Sequence, residues 1–415
     1  MGLLSFARER VGSKKATSST TSLIDNRKRS SNGSFDSNTR TPKKRQADKF
    51  YTVQIGDVYH RGRYIVRGHL GSGRYATVWL VKDTRLNEHF ALKILNSDFY
   101  NGKHELFELE VMQRISQVSS SSAHPGKDHV AQMVDHFELS GPSGRHVCMI
   151  FDLLGASIAK QATQVQMQRL PYRALKQIMR QLLEALDFAY AECGIIHTDI
   201  SPSNICIELA EAPAAVAAAK VDSAGEVELK TPLLSEEPKV NVRLNDFGIA
   251  CFTDRHLTDE ISPPLLRAPE VTLGAPWDSK VDIFNLGALL LQFLTGQLPF
   301  AGRGENNAAG CAESDRLSQL FASFGGEPDI VIDNADRAEE FAKNGVDLQR
   351  KRTHSGYTAL EQFVAEHTSD PGSSPGLPAD EVYKACDLLR RMLATDPRIR
   401  EPAGRLLSHP WLANG

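Results

Sequence analysis

Long apolar stretches are scarce in this sequence of 415 residues, and their scarcity argues against a membrane span. The best candidate, Leu286–Leu291, falls far short of the roughly 20 apolar residues that a spanning helix needs. The apolar start of the chain, Met1–Phe6, is too short for a secretory signal. We therefore expect no membrane partner.

Closely spaced cysteines are also missing. The six cysteines stand far apart, with no Cys-x-x-Cys pair among them: Cys148, Cys193, Cys206, Cys251, Cys311 and Cys386. This spacing indicates a reducing compartment and argues against both a disulfide framework and a structural zinc site.

The composition that remains is that of a globular protein, with 41 % apolar and 24 % charged residues. The net charge of −3 hides an asymmetry, because residues 1–50 carry +8 and the rest of the chain carries −11. We predict that residues 1–49 form a disordered tail, since this Ser-, Thr- and Lys-rich segment cannot bury enough apolar surface to fold. Its basic clusters, Arg27–Arg29 and Lys43–Arg45, fit a nuclear import signal, a nucleic-acid contact or a merely solvated tail.

From Phe50 onwards, short β-prone runs predict an antiparallel sheet, and a helical spacing follows them. After Gly155 the pattern becomes mostly helical. The predicted strands are Tyr64–Val66, Val78–Val81 and Phe90–Ile94, and the predicted helices are His104–Ile115, Arg173–Tyr190, Lys280–Thr295, Ser314–Phe324 and Glu381–Leu393. Two biased segments, Ala210–Pro238 and His367–Pro378, are predicted to be exposed loops.

A glycine turn, Gly71-Ser72-Gly73, connects the first two predicted strands. Such a turn brings backbone N–H groups close to phosphate oxygens, because no Cβ stands in the way. A strand follows the turn, so a Rossmann or Walker site is disfavoured. By itself the turn equally fits an ordinary hairpin.

Lys93 lies on the third predicted strand between apolar neighbours. Its ammonium is expected either at an exposed edge or in a cleft beside a carboxylate. Glu108, placed on the polar side of the following helix, is the favoured partner, while Glu105 and Glu110 compete with it.

Two later segments carry hard oxygen ligands. Asp199 is followed five residues later by Asn204, and Asp246 stands in Leu244-Asn245-Asp246-Phe247-Gly248. Carboxylate and amide oxygens suit Mg²⁺, and Asp199 is placed to accept a hydroxyl proton.

The ordered set of a glycine turn, Lys93, Glu108, Asp199, Asn204, Asp246 and Glu270 resembles the eukaryotic protein kinase signature. Further segments resemble the SR-protein kinase family of the CMGC group: Val53–Asp57, Thr77–Leu80, Met149–Gly155 and His197–Ile200. The resemblance implies an α+β, two-lobed kinase fold. Residues 50–154 would form a small antiparallel-sheet N-lobe with one major helix. Residues 155–415 would form a larger, mostly helical C-lobe with exposed insertions near 208–240 and 367–378.

The resemblance also implies the role of each site residue. Lys93, aligned by Glu108, would hold the ATP phosphates, Asn204 and Asp246 would ligate Mg²⁺, and Asp199 would be the base. The nucleotide would lie against Leu70, Gly71, Ser72, Gly73, Val78, Ala91, Asp152, Leu154 and Cys206. Glu270 would pair with Arg400, and Asp282 would brace the catalytic loop.

Three positions, Ala76, Thr198 and Ser201, depart from the family pattern, and Ala76 stands where the phosphate loop has a third glycine or a small polar residue. Thr198 stands where many kinases have an arginine that binds an activation-loop phosphate. SR-protein kinases also lack this arginine. Ser201 replaces the lysine that neutralises the transferring phosphoryl group. In addition, Pro263 and Pro264 stand near where a Thr-Arg pair would normally support the catalytic loop and the substrate.

The favoured function is an ATP- and Mg²⁺-dependent serine/threonine kinase, acting on basic, Arg/Ser-rich protein substrates in cytoplasm and nucleus. The alternative is a pseudokinase scaffold that binds nucleotide with little turnover. We expect a monomer without direct nucleic-acid binding, since a nucleic-acid role for the tail explains nothing after residue 50.

Overall fold

The computed structural model describes residues 49–99, 106–164, 169–234, 239–297, 300, 309–324, 335–343, 356–368 and 377–413. None of the helices in these ranges is both long and apolar enough to cross a bilayer. The predicted tail lies outside the described residues, apart from Lys49, whose ammonium contacts Asp98. The predicted lobe boundaries stay a prediction.

A six-stranded antiparallel sheet forms the N-lobe, with strand order β1-β2-β3-β4-β6-β5. The strands are β1 Val58–Tyr59, β2 Tyr64–Ser72, β3 Ala76–Asp83, β4 His89–Leu95, β5 Met133–Gly141 and β6 Gly144–Phe151. Burial alternates along β2, as expected of a strand with one buried face, because Tyr64, Val66 and Gly68 are buried while Ile65 and Arg67 are less buried. The three predicted strands lie inside β2, β3 and β4.

Helix α1, Glu108–Ser119, packs in the N-lobe and begins later than predicted. Residues 104 and 105, the first two of the predicted helix, lie outside the described ranges. The expectation that Glu108 lies on the polar side was wrong. Glu108 is buried on the same face as Val111, Met112 and Ile115, which follow it at helical spacing.

The C-lobe is mostly helical, which confirms the predicted α+β, two-lobed arrangement. Its helices are α2 Ile158–Ala162, α3 Tyr172–Asp187, α4 Ala212–Ala217, α5 Pro269–Leu273, α6 Lys280–Thr295, α7 Ala309–Phe324, α8 Ala338–Lys343, α9 Gly356–Thr368, α10 Ala379–Met392 and α11 Ala403–Leu406. A π-helical turn, Phe188–Glu192, extends α3. Helix α6 has the predicted bounds and ends where Gly296 adopts a φ of 71°, a conformation that glycine tolerates best.

Short strands position the segments between these helices. Strands β7 Leu154–Ser157, β9 Ile205–Glu208 and β12 Val242–Leu244 form one sheet, and β8 Ile195–Ile196 pairs with β13 Cys251–Phe252. Because β9 and β12 are antiparallel, the residues just before β9 and just after β12 meet at the same end of the sheet.

The segment 210–238 is largely exposed in its described residues, as its Ala- and Glu-rich composition predicted, but it is not wholly a loop. It contains α4 and a hairpin of β10, Lys220–Val221, and β11, Val227–Glu228, with residues 235–238 outside the described ranges. Ala215, Val227 and Leu234 are buried. In the second predicted loop, His367 and Thr368 end helix α9, and residues 369–376 lie outside the described ranges.

Candidate active site

A cleft of about 420 Å³ lies between the glycine turn, the hinge after β6 and the segments that flank β9 and β12. Most of the predicted site residues line this cleft: Leu70, Gly71, Gly73, Val78, Ala91, Lys93, Glu108, Asp152, Leu154, Asn204, Cys206 and Asp246. Ser72 and Asp199 lie outside this lining. The Ser72 hydroxyl is 2.8 Å from His69 Nε2, on the outer side of the turn.

Lys93 joins the two lobes through its ammonium. Strand β4 presents the side chain between β3 and β6, and its Nζ contacts both Glu108 and Asp246, the latter with Nζ to Oδ1 at 2.7 Å. Burial lowers the pKa of Lys93, but the charges of Asp246 and Glu108 outweigh burial and hold the pKa above its ordinary value. The ammonium therefore stays charged. Of the competing glutamates, Glu110 pairs with Arg255 and Glu105 lies outside the described residues.

Asp246 follows β12 and turns its carboxylate into the cleft, where 49 % of the side chain is exposed. Its φ of 61° is a conformation that few non-glycine residues adopt, and such strain is concentrated at functional sites. The charge of Lys93 lowers the pKa of Asp246. At Gly248, a Cβ atom would lie 3.0 Å from Asp246 Oδ1, so a side chain there would crowd the carboxylate.

Asp199 and Asn204 are connected within one short loop. Asn204 Nδ2 donates hydrogen bonds to Asp199 Oδ2 and to the Asp199 carbonyl, both at 2.9 Å. Burial raises the pKa of Asp199, although the hydrogen bond from Asn204 opposes the rise. The backbone N–H of Asn245 donates to the Asn204 carbonyl at 2.7 Å, so Asn204 and Asp246 lie in adjoining segments.

Asp282, on α6, braces the catalytic loop as predicted. Its two carboxylate oxygens accept hydrogen bonds from the backbone N–H groups of His197 and Thr198, at 2.7 and 2.8 Å. Thr198 is buried with a φ of 68°, and its hydroxyl donates to the Ile249 carbonyl at 2.9 Å. Ser262 Oγ donates to the Thr198 carbonyl at 3.0 Å. Thr198 therefore connects the catalytic loop directly to the segment between Asp246 and Glu270.

His197 supports this loop as a neutral ring. Burial lowers the pKa of His197 to about 4, although the bond to the Asn245 carbonyl at 3.1 Å opposes the shift. Its Nδ1 accepts a hydrogen bond from the Asp199 backbone N–H at 3.2 Å, which orients the start of the loop. The ring also lies edge-on to Phe247 at 4.7 Å. Core packing is the role that these contacts support.

The donor set fits a partly ligated magnesium ion. No cluster of three or more His, Cys, Asp or Glu side chains suited to a metal occurs within the described ranges. Asn204 and Asp246 instead offer an amide and a carboxylate oxygen beside the cation Lys93. Mg²⁺ is typically held by one or two such groups together with substrate phosphates.

Sequence reasoning missed several residues of the cleft, above all Val227, Glu228 and Leu229 from the segment read as an exposed loop. A signal was present, since Asp222–Gly225 is a turn sequence between Val221 and the alternating Val227 and Leu229. Arg74, at the tip of the glycine turn, and Lys160, on α2, also line the cleft.

Comparison with known proteins places these features in a family. The family described as protein kinase domain matches residues 64–412. A serine/threonine protein kinase of Aspergillus fumigatus is 33 % identical over 368 residues, covering 88 % of this chain and 87 % of the relative. Protein kinase dsk1 of Schizosaccharomyces pombe is 26 % identical over 465 residues, covering 88 % and 83 %. SRSF protein kinase 3 of Homo sapiens is 35 % identical over 180 residues, covering 43 % and 31 %. Together with the two lobes and the cleft between them, these similarities show that the chain belongs to the protein kinase family, as a serine/threonine kinase of the SR-protein kinase type.

Proposed function

We propose that this chain transfers the γ-phosphate of ATP to serine residues of basic, Arg/Ser-rich proteins, with Mg²⁺ as cofactor. The observation that carries the proposal is the contact of the Lys93 ammonium with both Glu108 and Asp246, residues that are 15 and 153 positions away in the sequence. Structural ion pairs rarely place an exposed carboxylate and a strained backbone at the mouth of a cleft.

Each residue has a task that follows from its surroundings. Lys93, held charged by its two carboxylates, is placed to bind phosphate oxygens. Asn204 and Asp246 would hold Mg²⁺, which neutralises phosphate charge when bound. Asp199, with its raised pKa, orients the substrate hydroxyl and accepts its proton. Catalysis in this class rests mainly on positioning and charge neutralisation.

The substrate class is supported by charge and by resemblance. Residues 51–415 carry a net charge of −11, which favours encounter with a cationic substrate. The name of the human relative, SRSF protein kinase 3, refers to a substrate class that we extend to this chain only as part of the proposal.

A pseudokinase is the second candidate, and Ser201 is the observation that favours it. No cation stands at this position of the catalytic loop, and Pro263 and Pro264 stand near where a Thr-Arg pair would normally support that loop and the substrate. Losing one electrostatic donor at a transition state typically costs about 2.7–4 kcal/mol, or roughly 10²–10³ in rate. Arg74, which lines the cleft at the tip of the glycine turn, is the cation that we expect to supply part of this charge.

The deciding experiment measures transfer of radiolabelled phosphate from ATP to an Arg-Ser repeat peptide by the full chain. Asp199→Ala should abolish incorporation, and Ser201→Lys should raise kcat about tenfold to a hundredfold. Thermal stabilisation by Mg-ATP without incorporation, restored only by Ser201→Lys, would instead establish the pseudokinase.

A double-variant series tests the contribution of Arg74. Arg74→Ala should lower kcat more in the native chain than in the Ser201→Lys chain, because the introduced lysine then supplies the missing charge. Equal losses of kcat in both backgrounds would show that Arg74 does not compensate for the missing lysine at position 201. Arg61→Ala, which removes an exposed arginine outside the cleft lining, is the matched control.

We also propose residence in cytoplasm and nucleus, as a monomer. The basic clusters Arg27–Arg29 and Lys43–Arg45 support nuclear import. A fluorescent fusion should leave the nucleus when both clusters are changed to alanine, and unchanged distribution would contradict the proposal. Elution at twice the monomer mass would contradict the proposed monomer.

A further inference from the structure

The hairpin of β10 and β11 attaches to the N-lobe at the open edge of β2. The backbone N–H of His69 donates to the Gly225 carbonyl at 2.8 Å, and His69 also bridges to Glu226 in parallel register. The side chains repeat the contact, with His69 Nδ1 and Glu226 Oε1 at 2.6 Å. The hairpin is therefore bound to the strand that leads into the glycine turn.

Val227 fills a space that only a glycine leaves open. A Cβ atom at Gly68 would lie 2.2 Å from Val227 Cγ2, so this backbone position admits the valine because it carries no side chain. Val227 is 8 % exposed and forms an apolar cluster with Leu80 and Leu153. Half-buried Leu70 and Ala91, two of the residues expected to enclose adenine, pack against this cluster together with Leu229.

The chain after the hairpin attaches to the C-lobe. The backbone N–H of Ala156 donates to Thr231 Oγ1 at 2.8 Å, and Gln161 Nε2 donates to the Pro232 carbonyl at 3.0 Å. Lys160 Nζ pairs with Glu228, and both side chains line the cleft. The segment Gly225–Leu234 thus runs from β2 to α2 across the hinge end of the cleft.

We propose that Gly225–Leu234, which we call the cleft strap, is a wall of the nucleotide site, and that Val227 helps to hold the bound nucleotide. This inference rests on the proposed function, since it assumes that the cleft binds a nucleoside phosphate. Val227 supports Leu70, Ala91 and Leu229 from behind, while Glu228 and Lys160 close the outer edge. Loosening the cleft strap enlarges the site and exposes its apolar surface to water.

The hairpin itself offers a matched pair of variants. Val221 pairs with Val227 across the two strands but is 60 % exposed, so Val221→Ala makes the same chemical change away from the cleft. We expect Val227→Ala to raise the Kd of the full chain for Mg-ADP by about threefold to tenfold, through faster release. Val221→Ala should leave the Kd unchanged. Filter binding of radiolabelled ADP gives the Kd, and a chase with unlabelled ADP gives the release rate.

Thr231→Val provides a second test that preserves side-chain volume, in case Val227→Ala does not fold. It removes the acceptor for the Ala156 N–H and should also speed ADP release. A lowered melting temperature of the nucleotide-free protein with unchanged Kd and release rate in both variants would show a purely structural role and overturn the inference. Absence of ADP binding by the native chain would overturn the nucleotide site itself, and with it the proposed function.

Discussion

At the scale of single residues, the cleft shifts the pKa values of two carboxyl groups in opposite directions. The charge of Lys93 lowers the pKa of Asp246, while burial raises the pKa of Asp199. Environments that push two pKa values apart are typical of sites where one carboxylate must stay ionised and another must exchange a proton. The two groups therefore suit ligation and base catalysis, respectively.

A pH profile tests this assignment. Asp199 acts as a base only when ionised, so kcat/KM should fall as the pH drops through its raised pKa, above the ordinary range for aspartate. Asp246 should not contribute to this fall at low pH, because its pKa is lower than that of Asp199 and its carboxylate stays ionised. The measurement is kcat/KM as a function of pH, at saturating magnesium. The pH dependence of kcat/KM reports the pKa values of groups in the free enzyme.

The control for this profile is the circular dichroism spectrum at each pH, which must stay constant. A rate that remains level down to the ordinary carboxyl range, with the fold intact, would contradict the role of Asp199.

Residue types were easier to predict than residue surroundings. Kinase motifs preserve the order and neighbours of Lys93, Asp199, Asn204 and Asp246, so the sequence predicted all four as site residues. The sequence pattern placed Glu108 on the solvent-exposed face of α1, because a glutamate side chain is rarely buried unless a charged partner from another part of the chain pairs with it. Lys93 and Asp246 provide that long-range environment, which helical spacing cannot reveal.

At the scale of elements, a buried ion pair joins the start of α5 to the segment before α11. Glu270 receives two hydrogen bonds from Arg400, at 2.6 and 2.9 Å, and both side chains are almost fully buried. Arg400 also donates to the carbonyls of Ala394 and Lys280, each at 3.0 Å. The end of the segment between Asp246 and Glu270 is thereby fixed to the body of the C-lobe.

Removing half of this pair should be costly. We expect Glu270→Gln to lower the free energy of unfolding by about 3–5 kcal/mol, because it leaves the Arg400 charge buried without its counterion. Urea denaturation followed by circular dichroism measures the loss.

An exposed pair supplies the comparison. Asp380→Asn breaks the contact with Lys384, where Asp380 is 67 % exposed, and should lower the free energy of unfolding far less than Glu270→Gln, because water already solvates both charges. Equal losses in the two variants would contradict the special contribution of the buried pair.

Elements with strong patterns were predicted well, and the insertion was not. Helix α6 is apolar on nearly every side and ends at a glycine, so its bounds were readable from the sequence. The β10–β11 hairpin has two-residue strands, and contacts with β2 and α2 hold it in place. Composition cannot report such contacts.

At the scale of the whole molecule, the charge is unevenly distributed. The chain from residue 51 onwards carries −11, while residues 1–50 carry +8. A folded acidic body attracts a cationic substrate over distances of about one Debye length, roughly 10 Å at 0.1 M salt. Substrate binding should therefore depend on ionic strength.

Salt titration tests this dependence. The KM for an Arg-Ser repeat peptide should rise several-fold between about 50 and 300 mM NaCl, because the ions screen the attraction. A peptide with alternate arginines changed to glutamine should respond less. Equal responses of the two peptides would show that charge does not guide this substrate.

The cleft strap also gives the two lobes a second connection beside the hinge, made by hydrogen bonds and packing with β2. Asp152–Leu154 is the direct connection, and Gly225–Leu234 contacts β2 on one side and α2 on the other. Two neighbouring tethers restrict the axes about which one lobe can rotate. Opening by a scissor motion at the phosphate end remains compatible with both tethers, whereas twisting of the N-lobe strains the contacts of His69 and Thr231.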